Sequence, residues 1–512
     1  MFVRVFPAKI PVIRILLITG IFIGTAPSLT AQYLFNDRCR EAYQAIFTLH
    51  FQQATRLLEE EKATNPTNLL PHYLENYIDF LILYMGEEEK DLERLLPNKT
   101  RRIRVLEKGD PSQPFYRYCL AEIYMQWAFV RLKFGDFTQA ALDVHTAGTL
   151  LNENEAMFPV FLPDNTPLGI IHLLTGMIPD NLTWISKILG FKGSIAQGMA
   201  ELRSVVSYCG PDPVINLLRP EAAFYLALIA GNLQKNHTEA LNLIDQLAES
   251  AQNVQFNESP LIVFAKANIY MRNGMNDRAL YALSSRKADR EAYPFYYLDY
   301  LEGLVRLHRM DPDAGIFFQR YLARFRGRNY VGATLQKLAW IDFLKGDTAG
   351  YLRRMDRLKK IPSPLIDEDK QAIQEARSGM LPSKILLKAR LLFDGGYYDR
   401  ALDEMNGHPV RSYLKTSRDL IEYTYRLGRI FQEKKEFDKA IGYYRQTIQR
   451  GKAEPYYFAC ASALQMGLMY ETLHNNTLAD SAFRLCLNIP TPEYKASLSQ
   501  KARAGLNRLR KK

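Results

Sequence analysis

The feature that most constrains the fold is a spacing of small and aromatic residues that occurs twice near the C-terminus. In each copy a glycine is followed by an aromatic residue, then by an alanine twelve positions after the glycine, and then by a second aromatic residue. The two copies are Gly428, Phe431, Ala440 and Tyr444, and then Gly467, Tyr470, Ala479 and Phe483. A fixed order that repeats at a fixed interval is the mark of a repeat architecture, so periodicity decides the fold class here.

The same spacing recurs upstream, with an alanine or a leucine in place of the glycine. The intervals from Leu228 to Ala267, from Ala389 to Gly428 and from Gly428 to Gly467 are each 39 residues. The upstream copies are Ala42, Ala54 and Leu58; Ala128, Ala140 and Val144; Leu228, Ala240 and Ile244; Ala267, Tyr270, Ala279 and Leu283; and Ala389, Leu392, Ala401 and Met405. Glycines at 135, 274 and 395–396 fall where the turn between two helices is expected.

These residues resemble the tetratricopeptide repeat (TPR) family. The resemblance implies an all-α fold, a right-handed superhelical TPR-like α-solenoid of antiparallel helix pairs. Helices approach closely only where side chains are small, so we expect the small residue of the first helix to meet the alanine of the second. An interval of 39 residues exceeds the usual 34 by about one helical turn plus a loop, which predicts lengthened helices or connections.

One segment interrupts this pattern. Prolines at 159, 163, 167 and 179 break an apolar stretch, and Asp180 and Asn181 are suited to cap a helix that ends near Leu189. Residues 169–203 resemble a segment of the tetratricopeptide-repeat thirty-nine family. We therefore divide the chain into N-terminal TPR-like pairs (32–157), a Pro-interrupted apolar insert (158–215) and a TPR-like array with a capping helix (216–512). Trp184 and Phe191 either plug the array or form a docking surface.

Residues 1–31 have the pattern of a cleavable signal peptide. Basic residues precede an apolar run from Ile15 to Ala26, and an alanine at position 31 ends a stretch of small residues. The run of about 12 residues is short for a membrane span, which needs about 20. We expect a periplasmic or secreted protein that begins at Gln32 and has no transmembrane span; an uncleaved N-terminal anchor is the alternative.

The composition excludes several classes of function. Hydrophobic residues make up 47% and charged residues 24% of the chain, which is typical of folded protein. The five cysteines lack metal-site spacing, the eight histidines are isolated, and no phosphate-binding loop or nucleophile elbow occurs. We expect no enzyme, no cofactor, no metal and no nucleic-acid partner. Buried thiols are favoured, with one disulfide of unassigned pairing left open.

Partner binding is the function that a concave helical array supports, through exposed positions of the first helices. The candidate residues are Tyr225, Phe264, Asn268, Met271, Arg390, Phe393, Tyr425, Arg429 and Gln432. The formal charge of +11 is uneven, and the basic stretch 303–361 could meet an acidic partner. We expect a scaffold that binds proteins or peptides in the cell envelope; an envelope enzyme acting on glycans or peptides, and a structural subunit of a secretion or surface complex, are the alternatives.

Overall fold

The computed structural model describes residues 31–178, 190, 193–231, 237–250, 259–362 and 364–510. Within these residues the protein is all-α, apart from an isolated bridge between Gln32 and Asn68. The predicted signal peptide, the predicted helix after Asp180, and the side chains of Trp184 and Phe191 lie outside the described residues.

The helices follow one another through the whole described chain. Up to the insert they are α1 (Asp37–Phe47), α2 (Phe51–Thr64), α3 (Leu70–Gly86), α4 (Glu89–Leu106), α5 (Pro114–Phe134) and α6 (Phe137–Met157). The next are α7 (Asn165–Met177), α8 (Ile195–Val206), α9 (Pro213–Ile229), α10 (His237–Ser250), α11 (Pro260–Arg272), α12 (Asn276–Ser284), α13 (Tyr297–Arg309) and α14 (Ala314–Arg324). The last are α15 (Val331–Leu344), α16 (Thr348–Leu358), α17 (Asp367–Ser378), α18 (Lys384–Asp394), α19 (Tyr398–Asn406), α20 (Val410–Tyr413), α21 (Ser417–Glu433), α22 (Phe437–Gly451), α23 (Phe458–Thr472), α24 (Asn476–Asn488) and α25 (Lys495–Arg510).

The turn between α5 and α6 shows how the sequence ends one helix and begins the next. Gly135 ends α5 with φ of 84°, in the left-handed region that a residue with a Cβ rarely adopts. The Asp136 side chain then accepts a hydrogen bond from the Gln139 backbone N–H, which caps α6. This turn lies where the sequence predicts it.

Consecutive helices pack against one another, and the small residues of the repeat lie at the contacts. A Cβ on Gly428 would lie 2.7 Å from the Tyr444 ring, and one on Gly467 would lie 2.5 Å from the Phe483 ring. The sequence analysis expected each glycine to meet the alanine of the next helix; the atoms nearest to the glycine position belong to these rings instead. The glycine makes room for an aromatic side chain, and that ring fills the space between the two helices.

The N-terminal helices also contact residues far along the chain. The Tyr293 backbone N–H donates to the Leu49 carbonyl at 2.8 Å, and the Ser259 hydroxyl donates to the Phe47 carbonyl at 2.8 Å. Glu87 accepts hydrogen bonds from the Asn329 backbone N–H at 3.1 Å and from its side-chain amide at 2.7 Å. In a simple linear stack each repeat contacts only its neighbours. The chain therefore has long-range contacts that the repeat pattern did not predict.

The insert is helical where it is described. Helices α7 and α8 pack so closely that a Cβ on Gly169 would lie 2.8 Å from the Gly198 carbonyl oxygen. The predicted boundary at 215 falls inside α9, which begins at Pro213 behind the capping side chain of Asp212. None of the helices in the described ranges is long and apolar enough to cross a membrane.

Candidate functional site

A cavity of about 370 Å³ lies where α15, α17, α18, α21 and the start of α23 meet the segment before α25. We call it the arginine groove, after the four arginines in its wall, of which three, at 390, 418 and 426, lie on α18 and α21. Its other lining residues include Gln336, Trp340, Gln371, Gln374, Glu375, Arg377, Met380, Glu422, Tyr457, Phe458, Glu493 and Tyr494. Helices from separate repeats thus contribute side chains to one concave site.

Glu375 organises one wall of the arginine groove. It accepts a hydrogen bond from the Trp340 indole N–H at 2.8 Å and another from the Gln336 amide at 2.6 Å. Trp340 is itself buried, with 2% of its surface exposed. Because both carboxylate oxygens of Glu375 have partners in the protein, this wall is rigid and its charge is partly satisfied.

Arg390 stacks on that wall. Its guanidinium carbon lies 5.0 Å from the centre of the Trp340 ring, which is a cation–π distance. The nearest carboxylate oxygen in an ion pair belongs to Asp394, at 3.7 Å. Burial alone would lower the pKa of Arg390, but Asp394 and further acidic groups outweigh it and raise the pKa. Arg390 therefore stays charged, and it makes no hydrogen bond to any residue in the described ranges.

Arg418 and Arg426 extend the positive surface along α21, on either side of Glu422. Arg426 donates to Glu422 through Nε at 3.1 Å and through Nη2 at 2.5 Å. Arg418 lies 3.8 Å from the other oxygen of Glu422 and 5.8 Å from the centre of the Phe458 ring. Burial would raise the pKa of Glu422, but the arginines overcome this effect and lower it. Glu422 is therefore ionised.

Lys337 is a second cationic side chain at the Trp340 ring. Its Nζ is 4.1 Å from the centre of the indole ring and donates to the Gln336 amide oxygen at 2.6 Å. Burial, with Arg390 nearby, lowers the pKa of Lys337 to about 8. The Trp340 ring thus has two cationic side chains, Arg390 and Lys337, at cation–π distance.

Five of the nine predicted binding residues lie on α18 and α21, two of the helices that form the arginine groove. Arg390 lines the cavity. Arg429 stacks on Phe393, with 4.9 Å between the guanidinium carbon and the ring centre. Tyr425 was expected to be exposed but is buried, with 5% of its surface accessible, because Tyr457 and Phe458 pack against it. The side-chain amide of Gln432 donates a hydrogen bond to the amide oxygen of Gln465 in α23, at 3.1 Å.

The other four candidates lie away from the arginine groove. Phe264 packs against the rings of Phe295 and Tyr297, at 5.5 and 6.0 Å. The Asn268 amide donates to the Phe264 carbonyl at 2.9 Å. Met271 is half-buried among apolar residues of the same core. These three side chains serve the packing of neighbouring helices.

Tyr225 belongs to a separate buried cluster of carboxyl and phenol groups. Glu221 accepts hydrogen bonds from Tyr225 at 3.2 Å and from Tyr43 at 2.6 Å. Burial raises the pKa of Glu221, although its tyrosine partners oppose the rise. Burial and the charge of Glu221 together raise the pKa of Glu122 well above its ordinary value. The adjoining cavity is about 10 Å³, room for about one water molecule and no substrate.

Ion pairs neutralise part of the basic stretch 303–361. Arg354 donates to Asp342 at 2.6 Å, and Arg306 donates to Asp313 at 2.9 Å. Arg328 lies 3.5 Å from Glu89 in the N-terminal half. In the part of the chain that the structure describes, no group of three or more histidine, cysteine or acidic side chains could hold a metal ion.

Sequence reasoning missed most of the arginine groove. Arg418, Glu422 and Arg426 are spaced four residues apart, so they form one stripe on α21. This charged stripe, next to the apolar positions of the repeat, was the sequence signal that could have indicated the groove. Trp340 and Glu375 gave no such signal, because they meet the stripe only through tertiary packing. No protein-family model matches the chain, and no curated protein matches its sequence.

Proposed function

We propose that the protein is a non-enzymatic scaffold that binds a protein or peptide segment in the arginine groove. In this proposal the helices form a TPR-like α-solenoid of antiparallel pairs, a right-handed superhelix exported to the periplasm or the cell exterior. The observation that carries the proposal is the convergence of four arginines and several aromatic side chains on one cavity. The repeat spacing supports the architecture, and the N-terminal pattern supports export.

The dimensions and chemistry of the arginine groove favour this function. Its volume of about 370 Å³ falls within the range of about 300–1,000 Å³ typical of ligand sites. Tryptophan, tyrosine and arginine are the residues that most often dominate binding energy at protein interfaces. The amides of Gln371 and Gln374 supply donors and acceptors that match a peptide main chain.

An envelope enzyme is the second candidate. It is favoured by the raised pKa values of Glu122 and Glu221, since shifted carboxyl groups are common at catalytic sites. The small cavity beside them argues against it, as does the full use of Glu221 by tyrosine hydroxyls. The hydrogen bonds that Glu221 accepts from Tyr43 and Tyr77 hold α1, α3 and α9 together, which is a structural role.

Site-specific photo-crosslinking tests the scaffold function. A photoreactive amino acid at Met380, which lines the arginine groove and is 41% exposed, is expected to capture a reproducible partner in the native cell. The matched control is the same amino acid at Leu352, which is 48% exposed on α16 and does not line the cavity. Equal capture from both positions, or none from Met380, would refute the proposed site. Glycan or peptide cleavage by the pure protein that is lost in Glu221→Gln would favour the enzyme instead.

A further inference from the structure

The arginines of the groove hold more hydrogen-bond donors than the protein satisfies. A guanidinium carries five N–H donors. Arg426 uses its donors on Glu422, whereas Arg390 and Arg418 make no hydrogen bonds within the described residues and have carboxylate oxygens no nearer than 3.7 and 3.8 Å. Two planar cations, each stacked on aromatic rings, thus present unused donors to one cavity.

We propose that this pair is a carboxylate-binding subsite, and that the segment bound in the arginine groove is an acidic peptide. The inference rests on the proposed function and names the chemistry of the ligand. A guanidinium fork matches the two oxygens of a carboxylate, and such charge-assisted bonds are stronger than neutral ones. Arg390 and Arg418 would each donate to an aspartate or glutamate side chain, or to the peptide's terminal carboxylate.

The charge of the lining favours a carboxylate over a phosphate. The side chains of the cavity lining that are charged at neutral pH are four arginines and three glutamates, a surplus of one positive charge. A carboxylate brings one negative charge and balances it. A phosphomonoester brings about 1.5 to 2 negative charges. The lining carboxylates of Glu375, Glu422 and Glu493 would repel the excess.

The aromatic part of the lining favours a peptide as the carrier of that carboxylate. Tyr457 and Tyr494 stand beside the arginines, with 5.0 Å between their ring centres; Tyr494 is 38% exposed and Tyr457 is half-buried, whereas Phe458 belongs to the core beneath the cavity wall. Flat apolar surfaces next to cations suit an acidic residue flanked by apolar ones.

Selection from a library of displayed random dodecapeptides tests the inference on the full-length mature chain. We expect bound peptides to be enriched in aspartate and glutamate. For a fluorescein-labelled selected peptide, Arg390→Gln and Arg418→Gln should each weaken binding about tenfold, the loss of one charge-assisted hydrogen bond. Arg353→Gln is the matched control, because it removes the same charge from a side chain that is 72% exposed outside the cavity, and it should leave affinity unchanged.

The outcomes separate the inference from the proposed function. Peptides without acidic enrichment, or arginine variants that bind as well as Arg353→Gln, would overturn the carboxylate subsite and leave peptide binding intact. Failure of the wild-type protein to bind any peptide would overturn both. Glutarate should compete more strongly than inorganic phosphate at equal ionic strength, and the reverse order would overturn the choice of carboxylate. Should Arg390→Gln fail to fold, Arg390→Lys keeps the charge without the fork and should still bind more weakly.

Discussion

Gly467 provides the sharpest test of how the repeats pack. It lies in α23, and a Cβ there would come within 2.5 Å of the Phe483 ring in α24. That ring is fully buried, and a Cβ on Gly505 of α25 would also lie 2.5 Å from it. The Phe483 ring thus lies between glycines of two helices, Gly467 in α23 and Gly505 in α25. Gly467→Ala requires the ring to move, and the contact with Gly505 leaves it little space to do so.

The expected magnitude combines two opposing effects. Overpacking a core costs about 1–3 kcal/mol, and the flanked ring places this site at the upper end, about 3 kcal/mol. Alanine in place of glycine within a helix stabilises it by about 1 kcal/mol. We therefore expect Gly467→Ala to lower the local free energy of unfolding by about 2 kcal/mol. Gly442→Ala in α22 is the matched control, because its Cβ meets nothing within 4 Å, and it should stabilise the protein by about 1 kcal/mol.

Hydrogen exchange measured by mass spectrometry suits this prediction, because a chain of 512 residues need not unfold in one step. Amides of α23 and α24 should exchange about 30-fold faster in Gly467→Ala, which corresponds to 2 kcal/mol. Replacing the ring by a smaller side chain with Phe483→Leu should remove most of the destabilisation that the added methyl group of Gly467→Ala causes. If Gly467→Ala exchanges no faster than Gly442→Ala, the account of glycine as the space for the ring is wrong.

Two further predictions concern a thiol pair and a buried carboxyl group. The Sγ atoms of Cys460 and Cys486 lie 3.5 Å apart in the core. We expect oxidised glutathione to convert the two thiols slowly into a disulfide, with the two hydrogens transferred to two molecules of reduced glutathione. Disulfide-linked tryptic peptides would report the bond. Two thiols that can still be alkylated after prolonged oxidation would contradict the prediction. Burial raises the pKa of Asp164 to about 7, against the opposing hydrogen bond from Asn154. A raised pKa means that the folded state prefers the protonated form, so stability falls as pH rises from about 4 to about 7. Between pH 5 and pH 8 the wild type should lose about 3 kcal/mol more than Asp164→Asn in thermal or urea unfolding, and equal losses would refute this assignment.

The sequence predicted the local parts of this structure well. Helices α21 and α22 and the turn between them lie where the spacing around Gly428 and Ala440 places them, because packing within a pair depends on residues close in sequence. Arg390, which directly follows the small residue of its helix, was predicted to be a binding residue, and it lines the cavity. The all-α class follows from the same periodicity.

The features that were missed depend on contacts between distant segments. Tyr425 occupies a first-helix position that the pattern treats as exposed, yet the rings at the start of α23 cover it. Glu375 completes the arginine groove from α17, a helix outside the repeat copies recognised in the sequence. A periodic pattern predicts how a helix packs against the next helix in sequence. It does not predict contacts with a helix from a distant part of the chain.

The contact between Glu87 and Asn329 has a consequence for the order in which the chain folds. These partners are 242 residues apart in sequence, and contacts of such separation form late because a long loop must close first. The carboxylate of Glu87 is 5% exposed in the folded protein. Its other partner is Lys133, whose Nζ donates to it at 2.9 Å and which is only 46 residues away in sequence. Lys133 can thus neutralise the charge early, and Asn329 arrives later to satisfy the second oxygen. The N-terminal helices therefore reach their full set of contacts only after the middle of the chain has folded against them.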